Sequence, residues 1–117
     1  MSNKRTGRMP PKHPEAVKER SNAMCEGCHQ KPAMNLHHRR FLSRGGRHNI
    51  ANLVALCGSG NHTGCHGLAH GSNPPQGWAI KAAESRHESA IPFVDAMGRA
   101  WLLDDDGGKE EHRDPDR

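Results

Sequence analysis

The sequence is poor in the residues that build a large apolar core. Of its 117 residues only 32% are hydrophobic, tyrosine is absent, and phenylalanine and tryptophan number two each. A chain of this length buries a modest share of its surface even with a favourable composition. One domain is therefore expected, with less than the whole chain folded, and something besides apolar burial must stabilise it. Small folds use disulfides or structural metal ions for this purpose.

Long apolar runs are also missing. No stretch approaches the roughly 18 consecutive apolar residues that suggest a membrane-spanning helix. The N-terminal residues MSNKRTGRMPPKHPEAVKER contain no apolar segment of the kind found in signal peptides. We therefore expect a cytoplasmic protein with no membrane partner. In a reducing compartment, cysteines favour metal binding over disulfides.

Composition divides the chain into four parts. Residues 1–20 are basic and contain prolines, so we expect a disordered arm, although Pro14 could open a short helix. Residues 21–72 contain all the cysteines and should form the core. After a proline-containing break, residues 73–107 carry short apolar runs typical of strands. Residues 108–117 have the composition of an acidic tail.

Four cysteines occur as two pairs: Cys25 with Cys28, and Cys57 with Cys65. Two such pairs suit tetrahedral zinc, which takes thiolate ligands and fills its coordination shell in structural sites. The second pair encloses a loop rich in small residues, which can close without strain. A disulfide, a redox CxxC motif and unused cysteines are the alternatives, and His29 or His62 could replace one thiolate. A structural zinc ion would supply folding free energy that the apolar residues do not.

Histidines lie between and just after these pairs. His66 and His70 are four residues apart, so on a helix they share one face and can bind one metal ion. His37 and His38 are adjacent, so on a strand they point to opposite faces. One can then bind the metal while the other faces a nucleophilic water. A glycine pair lets the chain turn back, so that the segment from Asn52 pairs beside the first strand and a helix follows.

The order of these motifs resembles the HNH endonucleases. The pattern is CxxC, His-His, Gly-Gly, Asn-Leu-Val-x-Leu-Cys, Cys-His and a further histidine. More closely, it resembles small HNH proteins encoded by tailed bacteriophages, through Gly64-Cys65-His66-Gly67, Gly77-Trp78 and the Leu-Leu-Asp-Asp-Asp-Gly segment ending at Gly107. The resemblance spans residues 21–108. It implies a small α+β fold, with a treble-clef-like ββα-metal core stabilised by structural zinc and a short C-terminal β appendage.

The resemblance also implies a role for each matching residue. His38 would be the general base. His37 and His66 would bind the catalytic metal ion. His70 resembles the additional helix histidine of the colicin nucleases and would be a further ligand. Asn52 would brace the catalytic loop.

The implied activity is metal-dependent hydrolysis of DNA phosphodiester bonds, by nicking or by cutting both strands, in phage DNA processing or packaging. Histidine suits the base role because its ordinary pKa lies near the operating pH. The catalytic cation could be Mg²⁺, Mn²⁺, Ni²⁺ or Zn²⁺. Imidazole ligands favour the transition metals, whereas substrate phosphate can recruit Mg²⁺. A phage enzyme would act in the host cytoplasm.

The chain has a net charge of +4, which suits a polyanionic partner. Four central arginines would contact phosphates of duplex DNA: Arg39, Arg40, Arg44 and Arg47. Such contacts position DNA without reading its sequence, so weak intrinsic specificity is expected. The phage resemblance implies a terminase partner. The alternative function is a noncatalytic treble-clef zinc module that binds DNA or a packaging protein. Such a module would keep the cysteines but have no use for the histidine set.

Overall fold

The computed structural model describes residues 7–113, which form two helices, five strands and three turns of 3₁₀ helix. The helices and strands in chain order are α1 (Lys12–Ser21), β1 (Asn35–His38), β2 (Leu53–Leu56), α2 (Gly64–Ala69), β3 (Phe93–Val94), β4 (Ala100–Leu103) and β5 (Lys109–Glu111). The 3₁₀ turns are Leu42–Arg44, Ile50–Asn52 and Glu88–Ala90. The predicted small α+β class is therefore confirmed. The ends of the predicted arm and tail, residues 1–6 and 114–117, lie outside the described residues.

Strands β1 and β2 form an antiparallel hairpin, in which His37 lies opposite Val54 and His38 opposite Leu53. Every residue of β2 is buried, as expected for a strand with the continuous apolar sequence Leu-Val-Ala-Leu. In β1, His37 is buried while His38 is only partly covered. Alternation along the strand therefore directs the two adjacent histidines to opposite faces. The chain then passes from β2 through Cys57 to α2.

Helix α1 occupies residues for which the sequence predicts a disordered arm, and this part of that prediction needs correction. Val17 is fully buried against Ile50 and Leu53. Arg20 pairs with Glu26, with Nη2 and Oε1 2.7 Å apart and both side chains buried. The helix is stabilised by these tertiary partners and not by its own polar sequence. Pro14 lies in its first turn, where a proline is tolerated.

The C-terminal part of the chain forms a second antiparallel sheet in the order β3-β4-β5. Trp78 stacks on Phe93 with ring centroids 5.3 Å apart, and both rings join the apolar cluster that contains Cys25 and Leu56. The extension and the cysteine region therefore share one core. Strand β5 lies where the sequence predicts an acidic tail, and Lys109 Nζ sits 4.4 Å from the Trp101 ring centroid. None of the helices within residues 7–113 is long and apolar enough to cross a membrane.

Candidate functional site

The four cysteines come together as one cluster, in which the sulfur atoms all lie within 4.8 Å of one another. All four are free thiols, so the predicted disulfide alternative does not describe this fold. Within residues 7–113, neither His29 nor His62 joins the group, and His29 Nε2 instead lies 2.9 Å from Asp95 Oδ2. Four sulfur donors at this spacing could hold a structural metal ion, and the donor set is the one that zinc favours.

Two glycines bring Cys57 and Cys65 together despite the loop between them. Gly58 and Gly64 both have positive φ, 104° and 61°. Their backbones touch, since a Cβ added to Gly64 would lie 2.6 Å from the Cα of Gly58. Only glycine fits both the conformation and the close approach. The small-residue loop therefore closes as the sequence predicts.

The thiols differ in how readily they lose a proton. Burial raises the pKa of Cys28, but hydrogen bonds from the Gln30 backbone and from Cys25 outweigh this effect and lower it to about 7. Burial raises the pKa of Cys65, and the neighbouring Cys25 raises it further. Burial also raises the pKa of Cys25. Four thiolates this close would repel one another, so full deprotonation requires a cation among them.

A second cluster consists of three histidines, whose candidate ligand atoms also lie within 4.8 Å of one another: His37, His66 and His70. The first belongs to β1, the second to α2, and the third immediately follows α2. The His37 ring centroid lies 5.1 Å from each of the other two, which are 4.8 Å apart. The hairpin and the short helix thus bring together the three residues that the sequence predicts as ligands of the catalytic metal.

Hydrogen bonds determine which nitrogen of two of these rings has a free lone pair. His37 Nε2 donates to the carbonyl of Trp78 at 2.7 Å, and His66 Nδ1 donates to the carbonyl of Gly60 at 2.7 Å. A carbonyl oxygen can only accept, so His37 Nδ1 and His66 Nε2 remain available to a cation. Burial also lowers the pKa of His37 to about 4, which keeps this ring neutral. His70 is exposed and stacks on Phe41, with centroids 4.7 Å apart.

The hydrogen bond between His37 and the Trp78 carbonyl is not predicted by the sequence analysis. The acting group of Trp78 is a backbone carbonyl, which leaves no signature in the side-chain pattern. Its indole also packs against the CxxC turn, because a methyl group on Gly27 would overlap the Trp78 ring. Trp78 therefore touches the surroundings of both clusters. In the sequence, the Gly77-Trp78 segment of the family resemblance is the signal that points to this residue.

His38 lies outside the histidine cluster, on the same strand as His37. Its Nε2 is 3.0 Å from Nδ1 of His48. Burial, followed by the nearby His48, lowers the pKa of His38 to about 4. The ring is therefore neutral at physiological pH and has a lone pair that can accept a proton. A general base needs this neutral form, while the lowered pKa makes His38 a weaker base than a free imidazole.

Asn52 is fully buried and ties together the loop between β1 and β2. Its Oδ1 accepts from the backbone N–H of Arg40 at 2.7 Å. Its Nδ2 donates to the carbonyls of Arg40 at 3.1 Å and Arg47 at 2.9 Å. One side chain thus holds both ends of the loop. This geometry supports the bracing role that the sequence predicts.

Two of the four arginines that the sequence predicts to contact DNA are buried and bonded within the protein. Arg39 is fully buried, and burial lowers its pKa to about 9. Its guanidinium donates to the backbone carbonyls of Gly77, Ala51, Glu88 and Ile91. Arg40 is 7% exposed and pairs with Glu88, with Nε and Oε2 2.7 Å apart. Both arginines hold the C-terminal extension against the hairpin, and their guanidinium groups are engaged by protein acceptors.

Arg44 and Arg47 remain accessible. Arg44 is partly exposed, and its guanidinium carbon lies 4.4 Å from the Phe41 ring centroid. Arg47 is exposed. The sequence alone does not distinguish Arg44 and Arg47 from the buried Arg39 and Arg40. The burial of Arg39 depends on partner carbonyls up to 52 residues away in the chain.

The structure thus contains a cluster of four sulfurs and a cluster of three imidazoles, each of which could hold a metal ion. Residues 25–70, which contain both clusters, match the family model described as HNH endonuclease, so this segment is an HNH endonuclease domain. The predicted resemblance to the HNH endonucleases is thereby confirmed. The family suggests a nuclease with DNA as its substrate, and HNH nucleases use divalent metal ions. No curated protein and no solved structure matches the chain.

Proposed function

We propose that this chain is a metal-dependent HNH endonuclease that hydrolyses DNA phosphodiester bonds, with His38 as the general base. The observation that carries the proposal is the three-histidine cluster, which is open at exposed His70 and adjoins a neutral His38 on the same strand. Together β1, β2 and α2 would form the ββα-metal arrangement of a treble-clef-like fold. A noncatalytic zinc module needs the four sulfurs but has no use for this second set of donors.

In this proposal, the role of each histidine follows from its accessible ring nitrogen. His37 Nδ1, His66 Nε2 and a ring nitrogen of His70 would hold a divalent cation, such as Mg²⁺, Mn²⁺, Ni²⁺ or Zn²⁺. When bound, this cation supplies the Lewis acidity that stabilises charge developing on the phosphate. His38 takes a proton from the attacking water. The sulfur cluster would hold zinc and serve the fold.

The surface around the histidine cluster suggests a path for the DNA backbone. A cavity of about 250 Å³ is lined by His70, Arg44 and Lys81. Arg44 also lines a neighbouring cavity of about 570 Å³, together with Arg47 and Arg86. Two glutamates, Glu84 and Glu88, line the larger cavity too, but each pairs with an arginine. We infer that duplex phosphates follow this surface, with weak intrinsic sequence specificity.

Phage DNA processing or packaging, beside a terminase, is the biological setting that we propose for this activity. The support is the resemblance of the segments Gly64-Cys65-His66-Gly67 and Gly77-Trp78 to small phage HNH proteins. The family match itself carries no information on either point.

The proposed activity is tested with supercoiled plasmid incubated with protein and Mn²⁺ or Mg²⁺. Wild type should nick the plasmid, and His38→Ala should be slower by roughly 10²–10⁴-fold. His112→Ala, a histidine in the C-terminal segment, is the matched control and should retain activity. Circular dichroism and zinc content must agree among the three proteins.

Two outcomes would contradict the proposal. Equal nicking by wild type and His38→Ala would indicate a contaminating nuclease. Duplex DNA binding without nicking at any of the metals would favour the noncatalytic module.

A further inference from the structure

His48 is a histidine of the β1–β2 loop that belongs to neither metal cluster, and both of its ring nitrogens have partners. Nδ1 lies 3.0 Å from Nε2 of His38, with the two ring centroids 5.1 Å apart and the rings inclined at 59°. Nε2 lies 3.1 Å from the backbone carbonyl of Gly7. His48 therefore stands between the candidate base and the N-terminal segment.

The chemistry of these partners determines where the protons lie. The Gly7 carbonyl has no proton to give, so His48 Nε2 must be the donor in that bond. A neutral imidazole protonated at Nε2 has its lone pair at Nδ1. Two lone pairs cannot share a hydrogen bond, so His38 Nε2 must donate to His48 Nδ1. Neutral His38 then has its own lone pair at Nδ1.

A further hydrogen bond holds the backbone of His48 in place. Nδ1 of His13, in helix α1, lies 2.6 Å from the His48 carbonyl and donates to it. Gly7 and His13 both precede the segment that matches the family model, residues 25–70. The hydrogen bonds that orient His48 thus come from a part of the chain outside the family domain.

We propose that His48 is a positioning residue, which holds His38 as the Nε2–H tautomer and so presents the His38 Nδ1 lone pair to the attacking water. The proposal rests on the proposed function of His38 as general base. It also assigns a purpose to helix α1 and the segment before it, which the cleavage chemistry does not otherwise use.

The test compares two substitutions of the same residue. His48→Asn places an amide oxygen close to the position of the imidazole Nδ1 and can still accept a hydrogen bond from His38. His48→Ala has no acceptor. Because both variants lose the hydrogen bond from His48 Nε2 to the Gly7 carbonyl and differ only in the acceptor offered to His38, their difference isolates the His38 bond.

The first readout is long-range ¹H–¹⁵N NMR of the imidazoles, in protein with the sulfur cluster loaded. Wild type and His48→Asn should show His38 protonated at Nε2, whereas His48→Ala should show a mixture of tautomers. The second readout is plasmid nicking at saturating metal. His48→Ala should lower kcat by roughly 10–100-fold at unchanged KM, the range typical of lost orienting partners, and His48→Asn should recover most of it.

A His38 tautomer that is the same in all three proteins, or Nδ1–H in wild type, would overturn the proposal. So would equal kcat values for His48→Ala and His48→Asn, both well below wild type. A wild-type protein that does not nick would contradict the proposed function alone, because the tautomer measurement still decides the hydrogen bond.

Discussion

The sulfur cluster and the histidine cluster differ in what holds their side chains. The sulfurs belong to the apolar core, where Cys25 and Cys57 are buried, and four soft donors leave no free position on a tetrahedral ion. The histidine cluster supplies three ligands and opens to solvent at His70. A saturated site suits a structural role, and an unsaturated one can admit a substrate. If the proposed function holds, one small chain would separate stability from chemistry in this way.

The clusters also differ in their dependence on the rest of the chain. The sulfur ligands come from within the family domain, residues 25–70. His37, in contrast, is oriented by the carbonyl of Trp78, in the C-terminal extension. The histidine cluster therefore depends on the C-terminal extension for the orientation of a ligand, whereas the sulfur cluster only packs against this extension.

Removing a sulfur ligand should have the largest effect. Cys57→Ser is expected to abolish cooperative folding, because structural zinc contributes on the order of 10 kcal/mol to small folds. Thermal unfolding followed by circular dichroism, with elemental analysis for zinc, checks this. Folded protein without zinc would show that the apolar core alone suffices and would remove the distinction between the clusters.

Removing an open-site ligand should leave the fold intact. His70→Ala is expected to weaken Ni²⁺ or Mn²⁺ binding by at least 10-fold, with one zinc per chain retained, because His70 is exposed and outside the core. Calorimetric titration of zinc-loaded protein measures the change, and His112→Ala serves as control. Loss of zinc together with the second metal would mean that the two clusters are not separate sites.

Loosening the C-terminal extension should weaken metal binding at the histidine cluster and leave zinc binding at the sulfur cluster unchanged. Arg39→Met removes the donors to four backbone carbonyls and is expected to cost about 1–3 kcal/mol of unfolding free energy for each carbonyl left without a donor. Because Gly77 adjoins Trp78, His37 should lose its orientation and the open site its affinity, while the sulfur site keeps its zinc. Denaturant unfolding and metal titration test this together. Unchanged affinity for the second metal would show that Trp78 is held by its packing alone.

Acid should lower the free energy of unfolding through His37, which is buried, and His38, which is partly covered. Burial lowers the pKa of His37 and His38 to about 4 from an ordinary 6.5. Between these values the unfolded chain binds protons that the folded chain does not, so unfolding free energy falls as pH falls from 6.5 toward 4. The slope is at most ~1.4 kcal/mol per pH unit for each histidine. Denaturant unfolding of wild type and His38→Asn isolates the share of His38, and identical slopes would contradict it.

Removing the positive charge of Arg47 should weaken DNA binding only modestly. Arg47→Ala is expected to lower the slope of log affinity against log salt by about 0.9, the value for one phosphate contact. Arg99→Ala, on the exposed β3–β4 turn, is the matched control and should leave the slope unchanged. Fluorescence anisotropy with a labelled duplex gives both slopes. Equal slopes for the two variants would place the DNA on another surface.

The candidate ligand residues could be predicted because their spacing constrains local geometry. The structure brings the four cysteines together, and it brings His37 together with His66 and His70. Asn52 followed from the motif order. The α+β class followed from the same pattern.

What the sequence could not reveal depends on distant partners. Arg39 and Arg40 carry the same charge as Arg47, and only carbonyls and a carboxylate from residues 77–91 make them interior residues. Helix α1 buries one apolar side chain, too few for a clear amphipathic pattern. Strand β5 is polar throughout and pairs because β4 offers it an edge.

Helix α2 carries Cys65 and His66 as neighbours, one in each cluster. A cation that settles among the sulfurs therefore fixes the backbone from which the next residue reaches into the open site. Binding at the first site should pre-organise the second, so the two affinities are linked, and by thermodynamic reciprocity each ion strengthens the other. The short helix is the physical connection between the two sites.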